Sequence, residues 1–218
     1  HGVQRGPVSI TNITEIGTAY SLDEIRAITD VARSYGLKTH LDGARFANAC
    51  ASLGCTPAEM SWKIGADAVV FGGTKNGCMA VEAVIFFDPE KARGLPFRRM
   101  RSGHLLSKHR YLAAQMNAYV ADGLWLDLAK KANATCARLV EGLGALGVEI
   151  TTETPANMIY FRLPLRQHEA LLAKGAVYYH MPEPDDGPYA SVRGRLVCDW
   201  NLSEEAVDRF LDLVKSEI

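Results

Sequence analysis

Over residues 7–88, short β-branched or apolar runs alternate with helix-patterned segments, and no other feature of the chain constrains its fold as tightly. PVSITNI (7–13) reads as a strand. After the loop TEIGTAY, Ser21 and Glu24 stand three apart as a capping-box pair, and Ile25, Ile28, Val31 and Ala32 follow at helical spacing up to Gly36. LKTHLD (37–42) reads as a buried strand, GARFANACASLG as a loop and helix, and TPAEMSWKIG as a further helical piece. DAVVF and AVEAVIFFD (80–88) read as two more strands. This spacing predicts crossover units and a mainly parallel sheet covered on both faces. Ligands of such sheets bind beyond the carboxyl ends of the strands, which singles out residues 42–45 and 74–76.

From residue 104 the texture changes to HLLSKHRYLAAQMNAYVADGLWLDLAKKANATCARLVEGLGALG, rich in alanine and leucine and free of proline. One long helix, or two broken near Gly123, is predicted there. VEITTETPANMIYFRLP reads as a strand pair turning at Pro155 and Asn157, LRQHEALLAKGAVYYH as a helix and strand, RGRLVCDWN as a strand, and SEEAVDRFLDLVKSEI as the closing helix. This part lacks strict alternation. The expectation is therefore α/β, with part of a large mainly parallel sheet domain in residues 1–115 and a small α+β domain in residues 116–218. The 218 residues, 48% of them hydrophobic, suffice for one or two cores.

Lys and Arg total 24 against 25 Asp and Glu, so neither sign is in excess to attract nucleic acid or an anionic membrane surface. No apolar run approaches the roughly 20 residues that cross a bilayer, and no basic-then-apolar leader opens the chain. Neither nucleic-acid nor membrane partners are expected. Cys50, Cys55, Cys78, Cys136 and Cys198 form an odd set with no C-x-x-C pair and no histidine at zinc-ligand spacing. That set predicts no metal site and a reducing, cytoplasmic setting.

Three residues carry candidate chemistry. Lys75 stands in VVFGGTKNG (69–77), at the end of an apolar run and in a loop whose glycines allow a ligand close approach. It suits a Schiff-base amine, although a surface lysine following a strand fits the local sequence as well. Asp42 ends the run LKTHL and precedes Gly43, where its carboxylate would hold a ring nitrogen protonated or cap the next helix. Arg45 offers a planar fork for a carboxylate or phosphate, or is an ordinary helix arginine. Together these residues say more than they do singly. An acid beyond one strand, with a lysine 33 residues later beyond another, is what a pyridoxal 5'-phosphate (PLP) site needs, the acid on the pyridinium nitrogen and the lysine on the aldehyde.

These residues also carry a resemblance. LDGARFANA, the lysine of FGGTKNG, RSGHLLSKHRYLAAQMNAY and RLVCDWN resemble, in order and spacing, the PLP-dependent L-threonine aldolases of low-specificity type, and the likeness extends over essentially the whole chain. It implies the fold type I, aspartate-aminotransferase-like architecture. It further implies Lys75 as the Schiff-base lysine, Asp42 on the pyridine nitrogen, and Arg45 with Arg195 of RLVCDW on the amino acid's carboxylate. Thr74 would give its hydroxyl to the cofactor phosphate or serve as a simple turn threonine. Arg195 would otherwise be an edge-strand surface charge. The basic cluster Arg98, Arg99 and Arg101 would reach a phosphate or form a solvated helix face. His104 and His109 are candidates by type for the base that takes the β-hydroxyl proton, and neither is singled out.

The reaction implied is cleavage of L-threonine, L-allo-threonine or a related β-hydroxy-α-amino acid to glycine and an aldehyde, by a carbon–carbon lyase acting on a small-molecule amino acid. A homodimer or homotetramer is implied as well. The family's enzymes are longer at the amino end, where a glycine-rich phosphate loop and the residue stacked on the cofactor lie. Those features are missing here, so the expectation includes a second chain that supplies them, or an incomplete catalytic piece. Another fold type I enzyme, a β-eliminating lyase or a serine hydroxymethyltransferase-like protein, shares the aspartate and lysine and remains the alternative reading.

Overall fold

A computed structural model describes residues 2–218 as two compact units. One comprises residues up to Ile13 together with Tyr20–Leu128, and the other Thr14–Ala19 with Ala129–Ile218. The sequence placed the division after residue 115. In the structure it follows Leu128, inside a helix where alanine- and leucine-rich sequence offers no punctuation.

In the first unit, β1 (Val8–Thr11) is followed by α1 (Leu22–Ser34), β2 (Thr39–Asp42), α2 (Phe46–Leu53), β3 (Ala68–Gly72) and β4 (Glu82–Phe86). Then come α3 (Pro89–Ala92), α4 (Leu95–Arg101), α5 (His109–Val120) and the start of α6 (Leu124–Ala145). The sheet order is β1-β2-β3-β4. β1 pairs parallel to β2, with Thr11 opposite Asp42, and β2 parallel to β3, with Leu41 opposite Val69. β4 runs antiparallel to β3, Ala68 facing Phe86. Only residues 73–81 connect those two strands, too few for the dozen or more that a parallel crossover takes.

Helix α1 forms as its sequence dictates. Ser21 Oγ accepts from Glu24 N at 3.2 Å while Glu24 Oε2 accepts from Ser21 N at 2.8 Å, closing the capping box. Its inner face buries Ile25, Thr29 and Ala32, and burying an isoleucine of this kind stabilises by about 2 kcal/mol. The register between β2 and β3 is pinned by Asp67, whose carboxylate accepts from Thr39 N and Lys38 Nζ, each at 2.9 Å. Burial works against its charge, yet the ammonium and amide together hold its pKa below the ordinary carboxylate value.

TPAEMSWKIG does not form the expected helix. Thr56 and Glu59 make a capping box, but the segment turns irregularly, Lys63 N reaching back five residues to Ala58 O, and ends in a short 3-10 turn, Trp62–Ile64. The alanine-rich stretch is two helices. Asp122 at φ 51° and Gly123 at φ 77° both take left-handed backbone, which breaks α5 from α6.

The second unit packs the later part of α6, α7 (Leu165–Ala173) and α8 (Glu204–Lys215) with an antiparallel sheet of β5 (Glu149–Ile150), β6 (Met158–Pro164), β7 (Tyr179–Met181) and β8 (Ser191–Val197), in the order β5-β6-β8-β7. Leu139 and Leu143 of α6, Ile159 and Phe161 of β6, Leu171 of α7 and Val207 of α8 meet in one core. His168 lies fully buried in that unit. Its Nε2 donates to Val192 O at 3.0 Å, so Nδ1 is the acceptor for Tyr178 hydroxyl at 2.9 Å. His180 stacks on it, ring centroids 5.5 Å apart.

Burial lowers the His168 pKa below its usual 6.5, outweighing the Val192 hydrogen bond, because a second proton would put a cation beside Phe161 and His180. The unfolded chain takes up that proton at the ordinary value and the native state resists it. The stabilisation is therefore complete above about pH 6.5 and is lost as pH falls through the lowered native pKa. Thermal unfolding followed from pH 8 to pH 5 will show a steeper loss for the wild type than for His168→Gln, which is less stable at pH 8 but has no such titration.

Candidate active site

Asp42 closes β2 and is half-buried, with Oδ1 accepting from Ala44 N at 2.9 Å. This local turn fixes one carboxylate oxygen. Arg45 heads α2, half-buried, in the N-cap position, without capping the helix through its side chain. Thr74, Lys75 and Asn76 form a 3-10 turn directly beyond β3. Lys75 is exposed and pairs with no described residue, so its amine is open to an electrophile. Because β2 and β3 are neighbouring parallel strands, the two loops lie side by side at their carboxyl ends.

Backbone locks the two loops together. Gly72 N donates to Gly43 O at 3.1 Å. A Cβ on Gly43 would stand 1.9 Å from Val70 O, and one on Gly72 would stand 2.7 Å from Gly43 O and 2.9 Å from Ala44 O. Such distances exclude any side chain, which is the physical reason for glycine at both positions. A Cβ on Gly73 would likewise meet Val81 O at 2.7 Å.

The lysine turn is held from both flanks. Upstream, the Glu82 carboxylate of β4 accepts from Gly73 N and Thr74 N, each at 3.2 Å. The Thr74 hydroxyl donates to Val81 O at 3.4 Å. Downstream, the buried Asn76 side chain donates to Tyr119 Oη at 2.6 Å and to Trp125 O at 2.7 Å, and Tyr119 donates in turn to Gly72 O at 3.2 Å. Sequence reasoning overlooked Glu82 and Tyr119. A glutamate in a strand and a tyrosine in an alanine-rich helix give no local sign of the loop they hold. Phe46, Phe71, Tyr119 and Trp125 pack ring on ring in the same unit, with centroids 5.5–6.4 Å apart. The first unit also has an apolar cleft of about 390 Å³, walled by Phe46, Trp62, Phe71 and Phe87 among others and containing no ionisable side chain.

Arg195 belongs to the second unit. It sits in β8 between two strands, opposite Tyr160 of β6 and Tyr179 of β7, so it is not an edge-strand charge. Its Cζ lies 5.1 Å from the centre of the Tyr179 ring, and its Nε is buried without a hydrogen-bond partner. A guanidinium braced on an aromatic face with donor capacity to spare is suited to a planar anion. Arg98, Arg99 and Arg101 lie exposed on α4. His104 is exposed, while His109, at the head of α5, has its Nδ1 buried without a partner. Among the described residues no group of acids, histidines and cysteines is arranged to hold a metal, and no helix is long and apolar enough to cross a membrane.

An acid and an exposed amine on loops beyond two neighbouring parallel strands, with a separate antiparallel unit, make an α/β protein, and its structural likeness to a solved threonine aldolase places it in the fold type I group. The chain belongs to the beta-eliminating lyase family, which it matches over residues 1–164. It is similar to the low-specificity L-threonine aldolases of Pseudomonas sp. (strain NCIMB 10558) and Pseudomonas aeruginosa, 41% identical to each over 202 residues. That alignment takes in 92% of this chain and 56% of each relative, so the chain spans little more than half the length of these proteins. It also superimposes on a Leishmania major threonine aldolase with a TM-score of 0.87 at 27% identity, over 97% of this chain and 60% of that one.

The glycine lock makes a graded prediction, measurable as urea unfolding midpoints. Gly72→Ala will cost about 2 kcal/mol, and Gly43→Ala more, because only backbone can yield. Gly144→Ala, in α6 with nothing within 4 Å of the added Cβ, will gain about 0.5–1 kcal/mol.

Proposed function

We propose that this chain carries the cofactor lysine and the substrate-binding arginines of a PLP-dependent aldolase. The enzyme cleaves L-threonine, L-allo-threonine or related β-hydroxy-α-amino acids to glycine and an aldehyde. The observation that carries the reading is the pairing of Asp42 with Lys75 on strand-end loops locked through Gly43 and Gly72. The likeness to low-specificity L-threonine aldolases favours this reaction among those open to the fold.

The residues present fit the cofactor. Lys75 Nζ is an exposed amine for its aldehyde, and Asp42 retains a carboxylate oxygen for its ring nitrogen. PLP, when bound, supplies an electron sink for the carbanion left by bond cleavage. Asp42 holds the proton on the ring nitrogen through a charge-assisted hydrogen bond and so keeps that sink strong. Thr74 contributes its hydroxyl towards the phosphate by exchanging its long bond to Val81 O. Arg45 and Arg195 each offer a planar fork that matches the two oxygens of a carboxylate such as the substrate's. The Glu82 and Asn76 contacts keep the lysine turn fixed while only the Lys75 side chain moves. The oligomer proposed is a homodimer or homotetramer.

Beta-elimination is the second reading, favoured by the family's description. The products distinguish the two. With L-threonine and PLP, the aldolase releases acetaldehyde and glycine, whereas elimination releases a 2-oxo acid and ammonia. The proposal expects aldehyde without ammonia, no turnover by Lys75→Ala, and a loss of at least about a hundredfold for Asp42→Asn. Ammonia in proportion to substrate consumed would transfer the assignment to elimination.

A further inference from the structure

We infer that Asn76 and Tyr119 are positioning residues for Lys75, because the hydrogen-bond circuit they close fixes the backbone from which the lysine projects. The inference rests on the cofactor reading above. Asn76 is 3% exposed and Tyr119 2% exposed, so both make their polar contacts away from water. The Asn76 amide has two hydrogens, and both are used, one on Tyr119 Oη and one on Trp125 O. Tyr119 passes its own hydrogen to Gly72 O. One phenol thus ties the residue three before Lys75 to the residue directly after it. The Asn76 bond to Trp125 O fastens that tie to the start of α6.

Two features separate this circuit from ordinary core cohesion. First, it is polar inside an aromatic wall, with the Phe71 ring 5.5 Å from Tyr119 and 5.6 Å from Trp125, where each unmade hydrogen bond is costly. Burial also pushes the Tyr119 pKa up to about 12, so its hydroxyl stays a donor across the working pH range. Second, the circuit spans Lys75, whose side chain is exposed and pairs with no described residue. A lysine has four rotatable side-chain bonds, and capturing an aldehyde beside Asp42 requires that the backbone beneath it not wander as well. Tyr119→Phe removes only the hydroxyl. The ring packing survives, while Gly72 O and one Asn76 hydrogen lose their partner.

The test compares wild type, Tyr119→Phe, Asn76→Ser and a control, Thr29→Val. The control deletes a buried hydroxyl bond to Ile64 O, 2.5 Å long, elsewhere in the same unit. Three quantities are measured: amide hydrogen exchange of residues 72–77 without cofactor, the visible absorption of the lysine Schiff base on titration with PLP, and the thermal midpoint. Tyr119→Phe and Asn76→Ser should raise exchange across residues 72–77 and shift the PLP titration to higher concentration, each by about tenfold, the factor equivalent to one net buried hydrogen bond. Thr29→Val should lower the thermal midpoint without changing either readout. If the wild type binds PLP and Tyr119→Phe titrates like the wild type or like Thr29→Val, the positioning role is overturned and the cofactor reading stands. If the wild type develops no Schiff-base absorption at any PLP concentration, even when the part of the relatives' length that this chain does not span is supplied, the cofactor reading falls and this inference with it.

Discussion

Two peptide backbones brought into direct contact set the geometry of the first unit's site. The Gly72 N–H bond to Gly43 O joins the loops beyond β2 and β3, and the approach is too close for a Cβ on either glycine. The two residues proposed to meet the cofactor flank this contact, Asp42 one residue before the first glycine and Lys75 three after the second. The contact exists because β2 and β3 are adjacent and parallel, so their carboxyl ends face the same way. A reversed β3 would carry Lys75 to the other end of the sheet.

The lysine turn shows how a chain can hold an amine exposed and still fix its base. Glu82 supplies a carboxylate to two consecutive amides upstream, and Asn76 supplies an amide to a buried phenol downstream. The two devices differ in kind. The first lies at the exposed end of β4, where solvent screening limits its contribution. The second is nearly closed to water, and removing a partner there costs more. Arg195 in the second unit is braced differently, held over a tyrosine ring between two strands with its Nε reserved.

Much of this was legible in the sequence. Ser21 and Glu24 announced α1, and the two strand-end motifs LDGAR and GGTKNG announced the loops that the structure sets side by side. What stayed illegible depended on length or on distance. The direction of β4 follows from the short link 73–81 rather than from its composition, so strand patterning alone said nothing about it. TPAEMSWKIG has a capping box and apolar spacing, but tertiary packing leaves it an irregular turn. Tyr119 is 43 residues from Asn76, and nothing around it in HRYLAAQMNAYV distinguishes it from Tyr111, which is exposed. The division between units falls after Leu128 because packing, not composition, decides where α6 changes neighbours.

The central claim is that Lys75, on the loop that adjoins the one after Asp42, is the amine that holds the cofactor. The most direct measurement is borohydride reduction of the protein with PLP, followed by intact mass and peptide mapping. The account predicts one reduced pyridoxyl group, on the peptide containing Lys75, with its yield markedly reduced in Asp42→Ala. A reduced adduct spread over surface lysines, or none on Lys75 even with the part of the relatives' length that this chain does not span supplied, would contradict it.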